Sequence, residues 1–174
     1  MNSRLQTLYD QLESQRADLL NEVRTLTAEK FNQGPDGKWS TNQILAHVIA
    51  AERMSLQYLQ KKVLALNEVS DTGFYEELKM VLLKVSQRLP GLKFRAPKIV
   101  LERTPSYGTF AELEADWEKI RIDLKAFLET LGDDHIKKRI YRHAVAGRLN
   151  VQHALLFFRE HIVHHHPQIK SRSK

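Results

Sequence analysis

A chain of 174 residues with 42% hydrophobic and 28% charged residues has the size and make-up of one globular domain with its own core, residues 1–174. It contains no cysteine, which excludes a disulfide framework, a thiolate metal site and a cysteine nucleophile, so any metal must be held by imidazole or carboxylate. The formal charge of +6 raises nucleic acid as a partner, but the basic residues are scattered and no basic–aromatic motif accompanies them; a solvated basic surface is expected instead.

No apolar run approaches the ~20 residues that span a bilayer. Met1-Asn2-Ser3-Arg4 leads into an amphipathic pattern with no apolar signal region. The expectation is a cytoplasmic protein with no membrane partner.

In chain order, the first predicted helix starts with Ser3 as cap and runs to about Lys30, with Leu5, Leu8, Leu12, Leu19 and Val23 at three- and four-residue steps. Residues 32–37 are dense in breakers and read as a loop. Ser40 and Gln43 form a capping box that opens a second helix, ending near Leu66-Asn67. Ile44, His47, Val48, Ala51, Met54 and Tyr58 share one face of it, so His47 points with the apolar residues. Residues 71–89 predict a shorter helix with Phe74, Leu78, Val81, Leu82 and Val85 as its apolar side, stopped by Pro90-Gly91. From Leu92 to Gly108 three prolines and little periodicity predict an extended, irregular connection.

Thr109 and Glu112 make another capping box, ahead of a regular helix carrying Phe110, Leu113, Trp117, Ile120, Leu124 and Phe127. That pattern suits a helix packed lengthwise against antiparallel neighbours. Gly132-Asp133-Asp134 ends it. After a polar stretch, a last helix is capped near Asn150, with Ala154, Phe157, Phe158, His161, His165 and Gln168 along one side. Long amphipathic helices without strand-like alternation predict an all-α fold, an antiparallel four-helix bundle with a long, partly helical crossover between helices two and three.

Four of the eight histidines lie in the stretch 161–166. His161 and His165 are four residues apart, on one helical face, where two imidazoles can reach one ion. His47 is the inward histidine of another helix and a candidate third ligand. Spacing leaves two readings open, a ligand set or ordinary core histidines. His164 and His166, turned roughly 60–100° away, are expected at the rim or surface. His135, His143 and His153 lack partners at ligand spacing and are read as structural or exposed. Gln168 shares the face of the pair and can hydrogen-bond a ligand. Glu52, about 140° around the helix from His47, suits a salt bridge better than ligation.

Trp39-Ser40 opening a helix, Gln43-Ile44-Leu45-Ala46-His47 with Glu52 beyond it, and His161-Ile162-Val163-His164-His165-His166-Pro167-Gln168-Ile169 at the end together resemble the DinB-like (YfiT-like) superfamily. Ala144 to Leu149 is similar to the branch in which a short turn precedes the last helix. The resemblance covers nearly the whole chain. It implies a four-helix bundle with a three-histidine site at His47, His161 and His165, a divalent metal (zinc or nickel), and homodimers. It also implies metal-dependent chemistry on a small molecule: a hydrolase activating water, or an S-transferase using a low-molecular-weight thiol. Gln168 and Glu52 are the polar candidates for supporting roles. The alternative is a non-catalytic small-molecule-binding or stress-response bundle with a vestigial or partly occupied site. Pro167 departs from the family pattern; it should kink or end the last helix beside the site.

Overall fold

The computed structural model describes residues 1–35, 37–89 and 96–172. Four long helices form the bundle: α1 (Ser3–Arg24), α3 (Thr41–Lys62), α6 (Phe110–Glu129) and α7 (Val151–Arg172). Shorter helices are α2 (Ala28–Asn32), α4 (Phe74–Arg88) and α5 (Lys98–Glu102). A 3-10 segment, Val63–Glu68, follows α3.

The first helix is shorter than its apolar stripe suggests. Asn2, not Ser3, is the cap, its side chain accepting from the Arg4 N–H. The helix stops at Arg24, where Thr25 Oγ1 bonds back to the Glu22 carbonyl, and Thr27 caps the separate α2. The capping boxes at Ser40/Gln43 and Thr109/Glu112 open α3 and α6. Within the stretch expected to be irregular, residues 98–102 form α5; the proposed stop at Pro90-Gly91 lies outside the described residues.

Around the bundle the order is α1, α6, α3, α7, each helix touching the next. Side-chain pairs fix the directions. Tyr9, Arg16 and Arg24 of α1 meet residues 121, 118 and 114 of α6, so these two run antiparallel. Asn42 meets Tyr107, and Arg53 meets Asp116, so α3 and α6 run parallel. Gln11 meets Arg159 and Glu22 meets His166, so α1 and α7 are also parallel. α3 and α7 are antiparallel, with His47 against His165 and Ser55 near Tyr141. The regular stripe of α6 therefore packs on one antiparallel and one parallel neighbour. The crossover between α3 and α6 is long because it carries the chain back to the end where α3 began.

The core fills the space between these four helices, with Leu12, Ile44, Ile49, Leu113, Trp117 and Phe158 at most 1% exposed. Burying such side chains contributes about 1.5–3 kcal/mol each. α4 lies outside the ring and runs along α7, tied by Glu77–His153 and by Arg88, whose Nε and Nη2 both donate to the buried Glu160.

Ahead of α7 the chain forms a small antiparallel hairpin that periodicity did not reveal, β1 (Tyr141–His143) and β2 (Gly147–Leu149). Its turn closes on Gly147, whose φ of +77° suits glycine. Asn150 then caps α7, its Oδ1 accepting from the His153 N–H. Pro167 does not end α7, which continues to Arg172 and lets that side chain reach the Trp39 carbonyl.

Candidate metal centre

α3 and α7 bring His47, His161 and His165 together, each offering a ring nitrogen within 4.8 Å of the others. Antiparallel packing makes this possible: the capping box fixes the start of α3 two turns before His47, and Asn150 fixes the start of α7. All three rings are buried, at 6–7% exposure. His47 lies edge-on to both others, 5.1 and 5.2 Å between centroids, and Trp39 tilts over its outer side at 5.3 Å. Phe157 stacks almost flat on His161.

The nitrogens face one another. His161 Nε2 and His165 Nε2 are 3.1 Å apart. Gln168 Oε1 accepts from His165 Nδ1 at 3.2 Å, which places that ring's proton on Nδ1 and leaves Nε2 with its lone pair. Two imidazole lone pairs at this separation repel unless a proton or a cation lies between them. For nitrogens each about 2.0–2.1 Å from one ion, the gap is of the right size. His47 Nδ1 and His161 Nδ1 are buried without a hydrogen-bond partner. The three-histidine cluster is thus a neutral donor set that could hold a metal ion.

Electrostatics favour the neutral rings that ligation requires. Burial pushes His47 down to about 4 and His165 down to about 3, with the neighbouring histidines adding to it. His161 is held well below the usual imidazole range, first by burial and then by His165 and His47.

The cluster opens on a cavity of about 400 Å³ between α3, α4, α5, the hairpin and α7. Met54, Leu83, Ile99, Val100 and Phe157 make its wall mostly apolar. No carboxylate lines it among the described residues.

His143, read from sequence as structural or exposed, lines this cavity. Its Nδ1 accepts the backbone N–H groups of Val145 and Ala146 at 3.2 and 3.1 Å, so the proton sits on Nε2. Its ring packs edge-on against Phe157 at 4.5 Å. Burial holds it neutral, at about 4. Only the hairpin places it there, and no ligand spacing could have disclosed it. His164, expected at the rim, also lines the cavity, donating from Nδ1 to the Gln87 carbonyl at 2.9 Å. His166 pairs with Glu22 at the surface, His153 is buried against Glu77, and His135 lies beside Asp134.

Glu52 is not part of this centre. Its two oxygens accept from Trp117 Nε1 and Arg121 Nη2, both at 2.8 Å, on the α6 side of α3. The 140° offset from His47 turns it to the opposite wall, where it forms the salt bridge its position suggested, with a partner on another helix. Burial raises its carboxyl, while Arg121 and Trp117 pull it back down.

A family model described as the DinB superfamily matches residues 11–169, a span that includes the three histidines and every residue lining the cavity. Comparison with curated proteins and with solved structures returned no significant match.

Proposed function

The chain belongs to the DinB superfamily, and from that premise we propose a metal-dependent enzyme in which His47, His161 and His165 hold zinc or nickel. The observation that carries this reading is the convergence of three buried, neutral imidazoles at one end of an apolar cavity of about 400 Å³. When bound, the ion supplies a positive charge undiminished by its neutral ligands, which acidifies a thiol or water and polarises a carbonyl.

The chain's own residues supply the rest. Gln168 orients His165 through Nδ1. Phe157 and Trp39 fix the His161 and His47 rings and shield them from water. The His143 Nε2–H, held by the hairpin, offers a neutral donor to a substrate oxygen in the cavity. The apolar wall suits a small substrate with an apolar body.

Of the two chemistries the family suggests, thiol S-transfer fits better than hydrolysis. A thiol with an ordinary pKa of about 8.5 needs only a nearby cation to ionise at neutral pH. Water attack is helped by a general base, and no carboxylate lines the cavity among the described residues. The same lack of a base supports a second reading, a non-catalytic binding bundle with partial metal occupancy. Elemental analysis of untagged protein tests the metal: about one zinc or nickel per chain, absent in His161→Ala, is expected. Transfer of small thiols to electrophilic substrates by the loaded protein, against the metal-free form, then separates enzyme from binding bundle.

A further inference from the structure

The cavity is a groove with a direction. Along α3 it is lined by His47, Ala51, Ser55 and Tyr58, which follow one face of the helix. From His47 to Tyr58 that face runs roughly 16 Å, at the rise of an α-helix. Phe157, beside His161, continues the opposite wall. Tyr141 of the hairpin lies against Phe157 and brings its hydroxyl to 3.4 Å from Ser55 Oγ. The hairpin therefore stands over the groove beyond the three histidines.

The two parts of the groove differ in charge. The histidine end is neutral; the outer part is cationic. Arg142, between Tyr141 and His143 in β1, is exposed at the rim and is the one charged side chain that lines the cavity among the described residues. Its partner across the hairpin is Arg148, also exposed. Like charges directly opposite one another cost stability, and neither guanidinium meets a carboxylate among the described residues. Lys62 Nζ stands 5.9 Å over the ring of Tyr58, again with no acidic partner among the described residues. Arginines that brace the fold do hold one: Arg53, Arg88 and Arg139 each meet a carboxylate. The cations at the rim are left for something the chain does not supply. A guanidinium pairs with carboxylate or phosphate through two N–H groups at once.

Resting on the reading of His47, His161 and His165 as the reactive centre, we propose that the substrate is an elongated amphipathic acid. Its reacting group lies at the histidines and its apolar body along Ala51, Met54 and Phe157. Its carboxylate or phosphate is held at the rim by Arg142, with Lys62 and Arg148 adding to the attraction. Arg142 thereby determines specificity, and neutral or cationic molecules of the same shape are discriminated against.

Isothermal titration of EDTA-treated protein tests this, because no ion is then present to take the acid group. The probes are decanoate, decyl phosphate, decanol and decylamine, all below micellar concentrations. At least one of the two acids is expected to bind about tenfold tighter than decanol, with decylamine weakest; the tighter acid identifies the group recognised. Arg142→Gln removes most of that preference. Arg4→Gln makes the same change of charge on α1, which does not line the cavity, and keeps it. Ala51→Phe fills the groove beside His47 and abolishes binding of acid and alcohol alike. Equal binding of acids and alcohol overturns the proposal. So does a preference that Arg142→Gln leaves intact, and so does binding that survives Ala51→Phe. Zinc content of the same preparations before EDTA treatment separates the two readings. A zinc-binding protein with no preference for acids refutes this inference alone; an acid-selective protein that holds no metal refutes the metal centre and leaves the acid site standing.

Discussion

Glu52 and Arg121 form an ion pair sealed from solvent: Oε1 accepts from Nη2 at 2.8 Å, with the side chains 1% and 0% exposed. Arg121 also lies 3.5 Å from Glu13, and Trp117 takes the second Glu52 oxygen. Removing one member of such a pair strands the other charge in the core, which costs about 3–5 kcal/mol. Glu52→Ala will therefore lower the urea midpoint by a large part of the protein's stability. Its metal content, measured on the folded fraction, will stay at the wild-type value, because the pair lies across α3 from the histidines.

Metal and stability should be coupled through the three imidazoles. Zinc at a hundred times its dissociation constant stabilises the folded chain by about 2.7 kcal/mol, which for this size raises Tm by roughly 5–10 °C. His161→Ala, which leaves two nitrogens, is expected to abolish that rise in a thermal melt with and without zinc.

Gln168 acts on His165 without being a ligand. Gln168→Ala frees Nδ1 to turn and to choose either tautomer, and the loss of such a supporting hydrogen bond typically weakens metal binding about 10- to 100-fold. Competition against a zinc chelator will show that drop, with stoichiometry at saturating zinc unchanged.

The stability of metal-free protein should fall in mild acid. His47, His143 and His165 are lowered to about 4, 4 and 3, from an ordinary value near 6.5. Between those limits the unfolded chain binds protons that the folded chain refuses, so their stability contribution is whole above about 6.5 and drains away towards pH 4 and 3. Each site accounts for roughly 1.4 kcal/mol per pH unit in that window. Urea midpoints of EDTA-treated protein will track the loss, and His143→Phe will make the slope shallower. A midpoint unchanged from pH 7 to pH 4 would contradict neutral burial of these rings.

Periodicity and caps were enough to read the four long helices, because an apolar stripe and a capping box are local. The convergence of His47 with His161 and His165 was legible for the same reason, since inward faces of long helices meet in the core. What a stripe does not say is which way it points in the assembled fold. The stripe on α4 faces solvent, while Glu76, Met80, Leu83 and Gln87 face inward, with Glu76 paired to Arg139. Helix direction was hidden as well, because nothing local tells whether a long crossover returns the chain to the same end. His143 reached the cavity through a three-residue pairing too short to leave an alternating pattern.

The parallel pairing of α1 with α7 has a consequence for how the centre comes into being. The last long helix closes the ring against the first, and it brings two of the three histidines with it. Such long-range closure is slow compared with local helix formation. In chain order His47 on α3 precedes the pair on α7 by the whole crossover, α6 and the hairpin. A metal ion held by all three histidines would therefore be captured only when α7 docks on α3, and it would pin those two helices together.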